Sequence, residues 1–322
     1  MPATPRNIYE QQAANKRKTF LVMVLFVLFL GFLGFGFDTF FLQAAVPLGT
    51  VMALIIGAGS AVWSLNSGAQ AVLNSSGARR VPVDDPRYQQ LRNIVEEMAI
   101  ASGQPVPLLY VIPDHDPNAF ATGKNPEHAA IAVTEGLMEK LNREELQGVI
   151  AHEMGHVRNL DIRLMTVVAA LVGSVMLLSE FGARSMMYGG GRRRSSDRDS
   201  RGGGPVLLVL WIIALVLAPL VSRLLAMAVS RQREYLADAS AAELTRNPLA
   251  LASALSKIDS AAEPTRSIKK GVAHLCIADP LGRKLNAREG ALAELFATHP
   301  PIEKRITILR AMAYQQAPAR SL

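Results

Sequence analysis

Three side chains within five residues could hold and use a metal ion. His152 and His156 are four residues apart, so on a helix both imidazoles lie on one face, one turn apart. Two imidazoles in this arrangement can bind a single Zn²⁺ ion. Glu153 lies beside them, where its carboxylate could take up a proton. Short patterns of this kind also occur by chance, so a polar helix face with two histidines is the alternative.

A third ligand is needed, because a catalytic zinc ion takes three protein ligands and leaves one position for water. Glu234 and Asp238 are four residues apart in a run, 223–238, that contains neither Pro nor Gly. Glu234 is the candidate third ligand, and Asp238 can accept the free N–H of a ligand histidine. A helix surface of alternating charges is the alternative. The His-Glu-x-x-His motif upstream, which is typical of zinc peptidases, favours the metal site.

A capped helix is predicted to carry the two histidines. Asn142 followed by Glu145 is a capping-box pattern, and apolar residues continue the helical spacing beyond it. Strands are predicted upstream at 108–112, 118–122 and 129–134, after an amphipathic helix at 85–102 whose apolar positions are Leu91, Ile94, Val95, Met98 and Ile100. An extended substrate could join the exposed edge of such a sheet through main-chain hydrogen bonds. The candidate substrate-binding residues are Asn118, Ala119 and Phe120.

Two long apolar runs precede this region and predict a membrane hairpin. The chain has 322 residues, 50% of them hydrophobic, and a net charge of +7. The runs 19–37 and 44–63 are uncharged, and each approaches the roughly 20 residues that a spanning helix needs. Four Lys and Arg residues precede them and none lies between them, so the positive-inside rule places the N-terminus in the cytoplasm. A signal peptide is disfavoured because its apolar core would be shorter, at about 7–15 residues.

A second, weaker hydrophobic hairpin is predicted downstream. The runs 164–178 and 206–222 are shorter and flank a segment rich in Gly, Arg and Ser, for which a disordered loop is favoured over a nucleic-acid-binding tail. If both runs span, this basic loop lies outside, against the positive-inside rule. Spanning is still favoured, because the N-terminal charges usually set the orientation. The single cysteine, Cys276, excludes an intrachain disulfide.

The predicted domains are a cytoplasmic tail at 1–18, a transmembrane helical hairpin at 19–65, a first catalytic part at 66–163, a second hydrophobic hairpin at 164–222 with a disordered loop at 182–205, and a second catalytic part at 223–322. In the last part, His299 is a candidate donor to a developing oxyanion. Pro301 can begin a helix that reaches Leu309 and holds His299 at its entrance. A loop histidine without a catalytic part is the alternative.

Four segments together resemble the HtpX family of membrane zinc endopeptidases, which is related to the CAAX prenyl proteases. They are Asn118–Gly123, Ala151–His156, Ser230–Asp238 and Thr298–Ile306. The resemblance implies one Zn²⁺ per chain on His152, His156 and Glu234, and a catalytic Glu153. It also implies an α+β, mostly helical membrane protein. Such a protein would combine the two hairpins with a gluzincin-like domain, in which a small sheet packs on the helix that carries His152 and His156.

The function implied is hydrolysis of damaged or misfolded membrane proteins, as stress response and quality control at the cell inner membrane. The expected partners are polypeptide substrates and the lipid bilayer, with other membrane quality-control proteins as candidate partners, but not nucleic acid. The catalytic domain of this multi-pass protein would face the cytoplasm. Two alternatives stay open: a non-proteolytic scaffold or chaperone with a structural zinc site, and a CAAX-type processing peptidase.

Overall fold

A computed structural model describes residues 8–39, 46–173, 231–261, 265, 267–268, 272–278 and 300–316. The helices are α1 (Ile8–Phe37), α2 (Leu48–Ser75), α3 (Gln89–Ser102), α4 (Glu135–Lys140), α5 (Arg143–Arg158), α6 (161–173), α7 (Arg231–Thr245), α8 (Pro248–Asp259) and α9 (Ile302–Gln316). The strands are β1 (Arg79–Arg80), β2 (Leu108–Ile112), β3 (Ala119–Gly123) and β4 (Ala129–Thr134). The chain is therefore mostly helical with one small sheet, which confirms the predicted class.

The sheet has the order β1-β2-β4-β3. Strands β2 and β4 are parallel, with Tyr110 opposite Ala132, whereas β3 runs antiparallel to β4 and β1 antiparallel to β2. Every residue of β3 and β4 is buried, because helices cover the sheet. Strand β3 ends the sheet on the side of α5, so the helix with the His-Glu-x-x-His motif lies against an edge strand.

Helices α1 and α2 pack against each other as the predicted N-terminal hairpin. Both are long and apolar enough, by length and composition, to cross a membrane. Their outer faces carry exposed apolar side chains, such as Phe20 at 68%, Leu28 at 60% and Ile55 at 61% exposure. In water that exposure would be unfavourable, so these faces suit lipid rather than a soluble core. At the turn, the Asp38 carboxylate accepts hydrogen bonds from the backbone N–H groups of Gly49 and Thr50, both at 2.6 Å.

The hairpin helices extend further than the apolar runs predicted. Helix α1 begins at Ile8, inside the expected tail, and α2 continues from the apolar run to Ser75. The extension of α2 is stabilised by packing, since Val72 and Leu73 share a buried cluster with Met165 of α6. Of the predicted second hairpin, only 164–173 is described, and it is helical. The rest of that hairpin and the loop 182–205 lie outside the described residues.

The main core surrounds α5, which packs against α3, α7 and α8 and against β3. The predicted amphipathic helix is present as α3, and Gly103 ends it in the left-handed conformation with φ 67°. One predicted core position is wrong: Ile100 is 81% exposed, and Ala99 takes the buried position beside Met98. Helix α9 begins at Ile302, directly after the two prolines, and runs beyond the predicted Leu309 to Gln316.

Two glycines of α2 allow a matched test of how the hairpin docks on the core. A Cβ atom at Gly68 would lie 3.2 Å from Cγ2 of Thr166 in α6, whereas a Cβ atom at Gly59 would meet nothing within 4 Å. Gly68→Leu should destabilise the protein by about 1–3 kcal/mol through overpacking. Gly59→Leu should leave stability nearly unchanged. Thermal unfolding in detergent measures both, and equal shifts would contradict this packing.

Candidate metal centre

Helix α5 holds the two histidines at its buried end. Its start has the predicted capping box: the Asn142 side chain accepts from the Glu145 N–H at 2.9 Å, and Glu145 accepts from the Asn142 N–H at 2.9 Å. Two further groups hold Glu145, namely Lys257 at 2.7 Å and Ser253 at 2.7 Å, both from α8. The helix is therefore clamped at its first turn, and its register places the histidine pair toward α7.

Helix α7 reaches the histidines because α5 carries Gly155 at the crossing. A Cβ atom at Gly155 would lie 3.2 Å from Cβ of Ser240 and 3.3 Å from Cα of Ala237, which is tighter than an ordinary contact. A side chain here would need the neighbouring helix to shift by a few tenths of an ångström, so glycine favours this close approach of the two backbones. The close approach brings Glu234, one turn before Asp238 on α7, against the imidazoles.

The ligand atoms of His152, His156 and Glu234 all lie within 4.8 Å of one another, and all three residues are buried. Each Nε2 atom is 3.7 Å from a carboxylate oxygen of Glu234. Ligand atoms of a tetrahedral zinc ion, with bonds of about 2.0–2.1 Å, are roughly 3.3 Å apart. The two separations of 3.7 Å are close to this value, and a set of two imidazoles and one carboxylate suits Zn²⁺ with one position left for water.

A buried ion-pair network holds the first histidine. Asp238 Oδ1 lies 2.9 Å from Nδ1 of His152, which leaves Nε2 facing the ligand cluster. Arg305 of α9 donates to both Asp238 oxygens, at 2.8 and 2.7 Å, and lies 3.5 Å from Glu234. Arg305 also donates to the Ile277 carbonyl at 3.1 Å and is fully buried. The network thus fixes the ring orientation of His152 from outside the ligand set.

The charges of this network follow from its pairing. Burial alone would raise the pKa of Asp238, but the Arg305 guanidinium and His152 lower it, so the carboxylate stays ionised. Burial opposes the charge of Arg305, and the carboxylates of Asp238 and Glu234 nevertheless raise its pKa. In the same way, burial opposes protonation of His152, yet Asp238 and Glu234 raise its pKa to about 9. A cation is therefore favoured at this position, as a proton or as a metal ion.

The second histidine has its own carboxylate. Asp161 Oδ2 lies 3.1 Å from Nδ1 of His156, and the exposed fraction of Asp161 is 0%. This contact needs a sharp turn after α5, in which Leu160 has a φ of 58°. A leucine in the left-handed region carries a cost of about 1–2 kcal/mol. The contacts of the buried turn must therefore outweigh that strain.

Glu153 points its carboxylate into the protein interior. The residue is 1% exposed, and neither oxygen makes a well-formed hydrogen bond within the described residues, although the backbone N–H of Ala121 lies close enough to interact with the carboxylate. Burial raises the pKa of Glu153, and the two neighbouring histidines lower it. A buried carboxylate with such weak internal contacts is unfavourable unless a bound group uses it. Its place beside the ligand cluster suits proton transfer at a bound water.

The structure places the other sequence-predicted residues as follows. Asn118, Ala119 and Phe120 are buried at the start of β3, and the Asn118 amide donates to Thr265 Oγ1 and to the Ala278 carbonyl, both at 3.1 Å. The Ala119 carbonyl accepts from the Ile277 N–H at 2.9 Å. His299 lies outside the described residues.

Sequence reasoning missed Arg305 and Asp161 as supports of the histidines. Arg305 belongs to the Thr298–Ile306 segment, but no spacing rule links a residue on α9 to Asp238. The sequence does show Asp161 as an acidic residue five positions after His156. Helical geometry would have placed it on another face, and only the turn at Leu160 brings it back.

Comparison with known proteins gives the chain its family. Residues 86–313 match the model of peptidase family M48, over most of the chain. This chain belongs to peptidase family M48. Curated relatives that match it are named protease HtpX homolog. That of Caldanaerobacter subterraneus subsp. tengcongensis is 45% identical over 96% of this chain and 99% of its own. That of Streptococcus gordonii is 43% identical over 95% of this chain and 100% of its own.

A crystal structure of Ste24p from S. mikatae is also similar, with a TM-score of 0.48 and 18% identity. It covers 94% of this chain and 67% of the other chain. The resemblance to the HtpX family is thus confirmed by relatives that align over their full length, through the two N-terminal helices and the candidate metal centre alike.

Two arginines of α9 allow a matched test of the buried network. Arg305→Met should destabilise the metal-free protein by about 3–5 kcal/mol, because it leaves the carboxylates of Asp238 and Glu234 buried without their cation. Arg310→Met removes an exposed arginine from the same helix and should change stability by less than about 0.5 kcal/mol. Denaturant unfolding in detergent with a chelator measures the difference. Similar midpoints for both variants would refute the network's role.

Proposed function

We propose that this chain is a membrane-anchored zinc-dependent endopeptidase that hydrolyses damaged or misfolded membrane proteins. The family and the two apolar helices make it a membrane metallopeptidase in broad terms. The observation that carries the finer proposal is the convergence of His152, His156 and Glu234 beside the buried carboxylate of Glu153. A site built only for structure would close with four protein ligands and would have no use for that carboxylate.

His152, His156 and Glu234 would hold the zinc ion, with Asp238 and Asp161 orienting the two imidazoles. When bound, zinc lowers the pKa of a water to about 7 and polarises a carbonyl. Glu153 then accepts the proton of the attacking water on its carboxylate and donates it to the nitrogen of the leaving amine. His299 stays a proposed donor to the oxyanion; in the sequence it comes three positions before Ile302, where α9 begins.

An unfolded or extended polypeptide is the substrate class that this site suits. Strand β3 is the edge of the sheet beside α5, and its outward backbone groups at Ala119 and Gly123 are bonded within the protein, while the Ala121 N–H interacts with Glu153. An extended segment of substrate would approach this strand beside the site, with Asn118, Ala119 and Phe120 at its start, and would replace these internal contacts on pairing through main-chain hydrogen bonds. Damaged chains offer more extended segments than folded proteins do, which supports the proposal that they are the substrates.

The site would face the cytoplasm at the inner membrane. It lies at the N-terminal end of α1, where Gln12 donates to the carbonyl of Arg158 at 2.8 Å, and Lys16, Arg17 and Lys18 follow. Lys and Arg beside a spanning segment are typical of its cytoplasmic end. The multi-pass arrangement, with a catalytic domain formed by 66–163 and 223–322 on either side of the hairpin 164–222, belongs to the same proposal.

Glu153→Gln tests the catalytic assignment. The amide keeps the shape of the side chain but cannot accept the proton, so cleavage should fall by about 10²–10⁴-fold while zinc binding persists. The full chain is purified in detergent under metal-free conditions, zinc is added, and casein cleavage and zinc content are measured. Glu144→Gln, an exposed change on the same helix, serves as the control. Undiminished cleavage by the Glu153 variant would favour the scaffold alternative.

A comparison of four substrates tests which class of polypeptide the enzyme cleaves. The parent enzyme should cleave casein and a destabilised membrane protein, and should spare the same membrane protein when folded. A CAAX-type enzyme would instead cleave a prenylated peptide and leave the unprenylated peptide intact. Parallel gel assays with these four substrates separate the two activities, which share the metal site.

Cysteine labelling tests the topology. Cys276 is the only cysteine and is 1% exposed, so background labelling should be low. Val46→Cys, at the turn of the hairpin, should react with an impermeant maleimide on intact cells. Glu10→Cys, at the start of α1, should react only after the cells are opened. The reverse pattern would place the site outside the cell. A reporter fused within 189–204 tests the second hairpin in the same cells.

A further inference from the structure

We propose that Asn15, on the membrane helix α1, is a positioning residue for the metal centre, acting through Asp161 on His156. The inference rests on the proposed function in one respect, since it takes His156 as a metal ligand. Its content is separate: the N-terminal hairpin would supply part of the support of the site, in addition to anchoring the protein in lipid.

The contacts form a continuous chain from the helix to the ligand. Asn15 Nδ2 donates to Asp161 Oδ1 at 2.7 Å, and Asp161 Oδ2 lies 3.1 Å from Nδ1 of His156. The exposed fractions of the three residues are 2%, 0% and 3%. Because water is excluded from all three, each hydrogen bond restricts the next group in the chain.

Asn15 also joins α1 to the end of α5. The same Nδ2 donates to the carbonyl of Asn159 at 3.0 Å, and one turn earlier Gln12 donates to the carbonyl of Arg158. The last carbonyls of a helix have no partner within it, so these donors satisfy the end of α5. Within the described ranges, the Gln12 side chain is seen to contact only the end of α5, whereas Asn15 contacts it and also holds the carboxylate.

For Oδ1 of Asp161, the oxygen that faces away from His156, the bond from Asn15 is the shortest contact within the described residues. The guanidinium of Arg233 lies 3.8 Å from Oδ1, which is beyond hydrogen-bonding distance. None of the Arg233 guanidinium nitrogens has a hydrogen-bond partner within the described part of the chain. Arg233 therefore balances the charge of Asp161 without fixing its direction. The Asn15 amide supplies the directional contact that keeps the other oxygen on His156.

Apolar packing also docks the hairpin on the core. Val22, Phe26 and Leu30 of α1 already share a buried cluster with α6. An asparagine buried at the start of a membrane helix adds desolvation cost to that contact, and the cost is offset only where its amide is bonded. The position of Asn15 is therefore better explained by Asp161 and the end of α5 than by anchoring.

The test uses the full chain in detergent, with Zn²⁺ titrated against a chromophoric chelator. Asn15→Ala should weaken zinc binding by about tenfold, the low end of what loss of an outer partner causes. Asn15→Asp keeps the shape but faces Asp161 with a second carboxylate, so it should weaken binding further. Gln12→Ala, the matched control, should stay within about twofold of the parent. In an Asp161→Ala background, Asn15→Ala should have little additional effect, because its route to the ligand is gone.

A spectroscopic readout separates positioning from general stability. With Co²⁺ in place of Zn²⁺, the visible absorption reports the ligand geometry; it should change in Asn15→Asp and stay unchanged in Gln12→Ala. Zinc affinity within twofold of the parent in both Asn15 variants, or effects fully additive with Asp161→Ala, would overturn the inference. A parent chain that binds no zinc would instead refute the proposed function. Thermal unfolding of each metal-free variant shows that the folds are intact.

Discussion

The metal centre depends on the close crossing of α5 and α7 at Gly155. Glu234 is 78 residues beyond His156 in the chain, and only this crossing brings its carboxylate within 3.7 Å of both imidazoles. A side chain at Gly155 would meet the backbone of α7 at Ala237. A larger residue at Gly155 would therefore push α7 away from α5 and move Glu234 away from the imidazoles.

The second constraint is the balance of buried charge. Glu153, Glu234, Asp238 and Asp161 bring four carboxylates into a region without water, against Arg305 and Arg233 and the two histidines. Isolated buried charges are strongly destabilising, so each must be paired or bound to a metal. Helix α9 contributes Arg305 to this balance, which explains why the C-terminal segment packs against the helices of the site. A metal ion would add the remaining positive charge.

The sequence predicted the parts of this structure that follow local rules. The capping box at Asn142, the strands β2 and β4 at their observed bounds, and the pairing of His152 with His156 all come from short spacings. The contacts that could not be predicted join distant segments: Arg305 with Asp238, and Asn15 with Asp161. The left-handed turn at Leu160 has no sequence signal either, because leucine is not a residue that favours it.

The order of the chain also bears on when the site is complete. Its histidines are near the middle of the chain, but Arg305 is among the last 18 of 322 residues. A polypeptide still being synthesised therefore has its imidazoles and lacks the cation that keeps Asp238 and Glu234 in place. A chain whose synthesis has not reached α9 cannot pair these two buried carboxylates, so the candidate site takes its observed arrangement only after α9 has docked.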